Sequence, residues 1–292
     1  MMNHGLPETH PSIEYYDSDY PSKELSPYPE NFDETTGLQG IRDDVQRYVS
    51  LARETRGPIL ELCCGTGRVA IPLARAGFDV VAVDISPAML VQFKNKLKLE
   101  PAAVQNRLSI VEQDIAALSL GEHDFALAIY PFNSLMCLPN ANLQALALKQ
   151  TAAHLASGAL LMLDLVNPFS LDLRPTTPPR PFFSRKNVHT GNSYTRFAAF
   201  GEIGVDQVQE LYGWYDEITV DGMVKRRPYT MQWRVVFPNE ITMMLENSGF
   251  VVEKMEGDHF GNPYSSASRK MNVIARAVQA QRGSQKRMQS KP

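Results

Sequence analysis

Ile59-Leu60-Glu61-Leu62-Cys63-Cys64-Gly65-Thr66-Gly67-Arg68-Val69-Ala70 decides the fold of this chain. Ile59 to Cys63 is a short apolar strand, Cys64 to Gly67 a tight turn, and Arg68 to Ala76 a helix. Gly65 and Gly67 let the backbone turn sharply and approach a ligand without a Cβ clash. The helix that follows points its N-terminus at that ligand. The spacing Gly65-x-Gly67-x-x-Ala70 also fits the dinucleotide fingerprint, so two ligand classes compete.

Glu61 separates them. It lies near the carboxyl end of the strand, four residues before Gly65. A carboxylate there repels a pyrophosphate and favours a cationic, amine-bearing ligand such as S-adenosylmethionine, which carries a sulfonium and an ammonium. Asp84 ends the next strand, 17 residues after Gly67. It is placed to accept hydrogen bonds from ribose hydroxyls, with either ligand. Its plain alternative is to cap the helix opened by Ser86-Pro87.

Outward from this turn the texture alternates. An amphipathic helix over Asp43 to Arg53 carries Val45, Tyr48, Val49 and Ala52 on one side. Apolar strands follow at Asp79 to Asp84, Leu108 to Val111, Asp124 to Tyr130 and Ala159 to Val166. Asn140 or Asn142 caps a helix reaching Ala156, and Gly158 ends it. Strands with near-continuous apolar runs, separated by helices, predict an α/β doubly wound, mostly parallel sheet covered on both faces. Beyond 167 the prolines Pro168, Pro175, Pro178, Pro179 and Pro181 break regular structure. Antiparallel strands are predicted within 193–237, with Asp221-Gly222 as a type I′ hairpin turn. A helix from Pro238 to Asn247 and strands at Val251 to Asp258 and Met271 to Ala277 complete the chain.

Four segments, in order, resemble the class I S-adenosylmethionine-dependent methyltransferases, specifically the small-molecule type with an inserted antiparallel sheet. Glu61 to Gly67 resembles the family's first motif, Val81 to Leu90 its acidic second-strand motif, Glu112 to Ile115 its adenine motif, and Tyr130 to Leu135 its fourth-strand opening. The resemblance covers about 41–166 well and 238–277 more loosely. It implies a Rossmann-like, seven-stranded sheet with an antiparallel last strand and an inserted β lid over the acceptor. It implies that Glu61, Cys63, Gly65 and Gly67 hold the methionine end, Asp84 the ribose, and Ile85 and Met89 the adenine faces. Asp114 and the Ile115 amide would read the adenine edge. Tyr130, Phe132 and Asn133 would lie near the methyl group, with Tyr20 closing on the cofactor from the N-terminal segment. The product would be S-adenosylhomocysteine, and no metal is implied.

The expected units are 1–40, an aromatic lid segment; 41–166, the cofactor-binding core; 167–237, the inserted β lid; 238–278, the end of the core; and 279–292, a disordered tail. The first is acidic yet aromatic, with Tyr15, Tyr16, Tyr20, Tyr28 and Phe32, unlike ordinary disordered tails.

Composition bounds the partners. The 292 residues are 43% hydrophobic, enough for a sizeable core, and carry a net charge of −3, so no basic field points to nucleic acid. The 3 cysteines exclude a disulfide scaffold and a four-thiolate zinc site within one chain. No apolar run approaches the roughly 20 residues of a membrane span. A cytoplasmic protein is expected, monomer or homodimer, acting on a small molecule.

Catalytic signals are thinner, because methyl transfer from an activated donor needs positioning more than a triad. Tyr130 and Asn133 are the catalytic candidates, though Asn133 equally caps the following loop. Tyr16, Arg196, Tyr215 and Arg234 are the acceptor-side candidates, the arginines as partners for a carboxylate or simply as solvated charges. His259 reads as a surface histidine. Three further readings stay open: non-methyl use of the cofactor with release of methylthioadenosine, a nicotinamide oxidoreductase, and a non-catalytic cofactor-binding module.

Overall fold

The computed structural model describes residues 7–21, 41–121, 124–174 and 178–278, with the side chains of 41–43 excepted. The calls on Tyr28, Phe32, Pro175 and the tail from Gln279 lie outside the described residues.

The N-terminal part is helix α1 (Pro11–Asp19), followed by α2 (Ile41–Thr55). The core then alternates β1 (Ile59–Leu62), α3 (Ala70–Arg75), β2 (Val80–Asp84), α4 (Pro87–Leu97), α5 (Ala102–Gln105), β3 (Leu108–Glu112), β4 (Phe125–Tyr130), α6 (Ala141–His154) and β5 (Leu155–Val166). Four strands follow: β6 (Arg180–Lys186), β7 (Ser193–Phe200), β8 (Val208–Ile218) and β9 (Val224–Arg234). Helix α7 (Pro238–Asn247), β10 (Phe250–Glu256) and β11 (Lys270–Ala277) close the chain.

The main sheet has seven strands in the order β10-β11-β5-β4-β1-β2-β3. Neighbours from β3 to β5 run parallel, and β11 is antiparallel to both β5 and β10. Strand alternation feeds two cores. Leu60, Leu62, Leu161 and Leu163 face α6 and α7, while Ile59, Leu127, Ile129 and Met162 face α2 to α4. Burial on both faces is what the continuous apolar runs encode.

The inserted strands form a separate antiparallel meander, β6-β7-β8-β9. Its apolar face is a tyrosine cluster, Tyr194, Tyr215 and Tyr229 with Phe183 and Leu211, and it is covered by Tyr15 of α1. Tyr15 stacks on Tyr215 with ring centroids 4.2 Å apart and donates to Glu217. Helix α1 is therefore part of the inserted sheet's core and not a loose segment.

Three local expectations need correction. Gly158 does not end α6, which stops at His154; it sits inside β5 with φ +76°, where the β4–β5 pairing slips register. Strand β6 starts inside the proline-rich stretch, because Pro181 occupies the edge strand, where a missing N–H is tolerated. The β8–β9 turn is not type I′. Gly222 alone has positive φ, and Thr219 and Met223 pair around a three-residue loop.

Asp19 ties α1 to the sheet. It is fully buried and accepts from Arg196 Nη1 at 2.9 Å, Tyr215 at 2.6 Å and Tyr194 at 2.7 Å. Asp19→Ala leaves Arg196 buried without its counter-ion, a loss of about 3–5 kcal/mol for such pairs. Hydrogen exchange should rise sharply in 11–19 and β6–β9 while β1–β5 stay protected.

Candidate functional site

A cavity of about 530 Å³ opens at the carboxyl ends of β1, β2 and β4. Its floor is the turn after β1, the end of β2 and the segment from Gln113 to Ile115. Its roof is α1, through Ser12, Ile13, Tyr16 and Tyr20, together with Arg196 of β7 and Thr230 to Trp233 of β9.

The glycine turn is built by backbone geometry. Gly65 has φ +54°, and its N–H donates to Asp84 Oδ2 at 2.7 Å. Gly67 has φ +81°, and a Cβ there would lie 2.4 Å from the Phe93 ring of α4. Gly67 is thus needed for turn packing; it does not line the cavity. Thr66, between the glycines, donates to Asp17 Oδ1 of α1 at 2.5 Å, and Lys96 Nζ of α4 reaches both at 2.8 and 2.9 Å.

Glu61 lies on the cavity wall, 1% exposed, and its Oε2 has no hydrogen-bond partner among the described residues. Burial pushes its carboxyl up to about 8, Arg68 opposes that, and Asp84 and Asp44 add to it. Arg68 is itself held by Asp44 through two hydrogen bonds of 2.9 and 2.6 Å, so its charge is already balanced. Glu61 is therefore an acid in want of a cation. Asp84 accepts from Gly65 N–H and, on Oδ1, from Ser86 N–H at 2.9 Å. Burial raises it against these backbone donors. Asp84 thus braces the helix start and also lines the cavity.

Cys63, Ile85, Met89, Asp114 and Ile115 all line the same space, which the structure thereby gathers from three separate strand ends. Asp114 Oδ1 caps a short turn by accepting from Ala116 N–H at 2.8 Å. Phe132 lines it too, with φ +48°, its ring 4.7 Å from that of Tyr20 and flanked by Arg68 and Lys270.

Other candidates fall elsewhere. The Tyr130 hydroxyl bonds Thr151 at 2.8 Å inside the core, where burial raises its pKa far above that of a free phenol. Asn133, at φ +63°, accepts from Val166 N–H through Oδ1 and donates its own N–H to the Asp164 carbonyl. It fastens the loop to β5, which is the capping alternative. Tyr215 packs beneath α1. Arg234 pairs with Glu240 at 2.5 Å and Gln144 at 2.7 Å, away from the cavity. None of these four lines the cavity, and hydrogen bonds inside the protein hold each of them. His259 is no surface residue. It is 6% exposed and bonds Asp164 at 2.9 Å. Burial pushes Asp164 up, but Lys270 and His259 outweigh it and hold the carboxyl well below the usual range.

Sequence reasoning missed Arg68 with Asp44, the clasp of Asp17 with Lys96, and Ser134, whose buried Oγ lines the cavity without a partner. Only Arg68 had a signal, its place inside the decisive stretch. Among the described residues no cluster of three or more His, Cys, Asp or Glu could hold a metal, and no helix is long and apolar enough to cross a membrane.

Residues 59–158 match the family model described as a methyltransferase domain. Over those residues the chain is a methyltransferase domain by that match, and its fold is the Rossmann-like one of the class I S-adenosylmethionine-dependent methyltransferases. A putative methyltransferase of Bacillus subtilis, YqeM, is 23% identical over 229 residues, 78% of this chain and 87% of that protein. The CcbJ methyltransferase of Streptomyces caelestis shares the fold with a TM-score of 0.66 and 23% identity, over 81% of this chain and 96% of the other. So does CalS10 of Micromonospora echinaspora, an amino pentose methyltransferase solved with its cofactor bound, with a TM-score of 0.62 and 18% identity, over 81% and 91%.

In this methyltransferase the Glu61 carboxyl is raised on folding from its ordinary value near 4.5 to about 8. A raised acid contributes stability below the unfolded value and loses it as pH rises through the folded one. Native stability without ligand should therefore fall between about pH 4.5 and 8, by the order of a few kcal/mol for this group. Glu61→Gln should remove that slope, so its denaturant midpoint should match the wild type near pH 5 and exceed it at pH 9.

Proposed function

We propose that this enzyme methylates an amine nitrogen of a small molecule, using S-adenosylmethionine bound on the cavity floor. One observation carries the reading: the buried, unpartnered carboxylate oxygen of Glu61 beside the glycine turn. An orphaned acid in a buried site is costly, and an ammonium group supplies the missing charge and donors. A pyrophosphate would worsen the deficit, which disfavours a nicotinamide cofactor.

The remaining assignments follow from chemistry and position. Glu61, Cys63 and Gly65 hold the methionine end, Asp84 accepts from ribose hydroxyls, Ile85 and Met89 flank the adenine, and Asp114 with Ile115 meets its edge. Phe132 and Tyr20 border the reacting region. The cofactor supplies a methyl group already activated on a sulfonium, so the chain's part is alignment and exclusion of water.

The cavity wall also favours nitrogen over oxygen. It contains no histidine or lysine among the described residues, and its carboxylates, Glu61, Asp84 and Asp114, are all on the floor. A hydroxyl acceptor needs a base to take its proton during transfer. An amine needs only to arrive unprotonated. The roof closes the site to a size that suits a small ligand, and an amino-sugar acceptor, as CalS10 is described to use, belongs to this class.

Binding of a cationic ligand to Glu61 should lower its pKa from about 8 and release close to one proton at pH 7. Calorimetry in buffers of different ionisation enthalpy measures this directly. Glu61→Gln should abolish the release and weaken binding about 10- to 100-fold, the scale of a charge-assisted pair. Incubation with pooled amines should yield S-adenosylhomocysteine only when an acceptor gains a methylene mass. Methylthioadenosine formed without acceptor would overturn the methyl-transfer reading.

A further inference from the structure

Arg196 is the least ordinary residue of the roof. It sits in β7, an inner strand of the inserted sheet, and is 2% exposed. Its Nε donates to the Tyr229 hydroxyl at 2.9 Å, and Nη1 donates to Asp19 Oδ2 and the Tyr20 hydroxyl, both at 2.9 Å. The guanidinium also packs on the Tyr229 and Tyr215 rings, at 4.9 and 5.5 Å from their centroids. Three hydrogen bonds and two rings fix its plane, so it cannot swing out to water as an ordinary arginine does.

One corner is unused. Arg196 lines the cavity, and its Nη2 makes no hydrogen bond among the described residues. The Tyr20 oxygen already accepts from Nη1, so its own proton remains to be given, and Tyr20 lines the cavity as well. The roof therefore presents two donors that lack an acceptor among the described residues. A guanidinium has donors only, so an ammonium is repelled there and an acceptor oxygen is wanted. Asp19 does not spoil this. It accepts from Tyr194 and Tyr215 as well as from Nη1, and so shares its charge among three donors.

We propose that the acceptor carries a carboxylate, held at the roof by Arg196 Nη2 and the Tyr20 hydroxyl. The inference rests on the methyl-transfer reading of the same cavity and names its substrate class: an amino-carboxylate lying with its nitrogen toward the floor and its carboxylate toward β7. The wall between carries Phe132, Met231 and Trp233, which suits an apolar or aromatic body. A planar carboxylate on a fixed guanidinium corner is charge-assisted, which a neutral carbonyl is not.

The test uses the full chain saturated with S-adenosylhomocysteine. It is titrated with phenylacetate, phenylacetamide and 2-phenylethanol at matched ionic strength, by calorimetry and thermal shift. Phenylacetate should bind saturably and about tenfold tighter than either uncharged analogue. Arg196→Lys keeps the charge but loses the planar corner, and should erase that preference. Tyr20→Phe should weaken phenylacetate binding about threefold and phenylacetamide binding by less. Equal affinity for acid and amide, no saturable binding of phenylacetate, or a preference that survives in Arg196→Lys would each overturn the proposal. If Arg196→Lys does not fold, the wild-type acid–amide comparison and Tyr20→Phe still decide. S-adenosylhomocysteine is titrated separately beforehand. Its failure to bind would sink the cofactor reading, whereas normal binding with no carboxylate preference sinks only the present one.

Discussion

The hydrogen bond from Gly65 N–H to Asp84 holds the site together. It runs between the ends of β1 and β2, two parallel strands whose main-chain pairing ends at Leu62 and Val83. Beyond that point one main-chain bond, from Cys64 N–H to the Val83 carbonyl at 2.9 Å, reaches the turn, and Gly65 is left for a side chain to fix. Asp84 does so with one oxygen and fixes the start of α4 with the other. The turn in turn packs on α4 through the bare Cα of Gly67 against Phe93. Glu61, Arg68 and the segment that follows β4 are all aimed from this frame. The cavity floor is thus set by backbone geometry and two carboxylates, with little freedom left to side-chain rotamers.

The roof obeys a different constraint. A four-stranded sheet with one apolar face needs a cover, and α1 supplies it with Tyr15 and with Asp19 at its C-terminal end. The tyrosines that meet the cavity, Tyr16 and Tyr20, face it because their helix is fastened on its other side. Electrostatics divide along the same line. The floor holds three acids and Arg68, whose charge Asp44 balances, and the roof holds Arg196.

The fold was legible because strand periodicity and the Gly65-x-Gly67 turn are local signals. Both faces of the main sheet are buried, so Ile59-Leu60 and Leu160-Leu161 had no polar option to confuse the pattern. Floor residues were legible for the same reason, since each stands at a fixed offset from a strand end. The roof was not. Arg196, Tyr215 and Arg234 look alike in sequence, as polar or aromatic residues on antiparallel strands. Only the course of α1, more than 170 residues away from Arg196 in the chain, decides that one reaches the cavity and the others do not. Asn133 and Tyr130 differ from these. They neighbour the cavity-lining Pro131, Phe132 and Ser134 in the chain, but their side chains turn back to Val166 and Thr151. Direction, unlike position, depends on φ, and a left-handed Asn133 is invisible to pattern reading.

The contacts of α1 are unequal on its two sides. Toward the inserted sheet it gives a buried ion pair, stacked tyrosines and Arg185 on its last carbonyls. Toward the floor it gives the small polar clasp of Asp17 with Thr66 and Lys96, one bond from Gln92 to the Ile13 carbonyl, and the edge of Tyr20 on Phe132. Of the two sides of α1 among the described residues, the lighter one therefore faces the cavity itself. The inserted sheet keeps a hold of its own on the core, through Arg234 on Gln144 and Glu240, so any seam between roof and floor lies under α1 and not under β9. A donor and an acceptor that both bind here would share that one doorway.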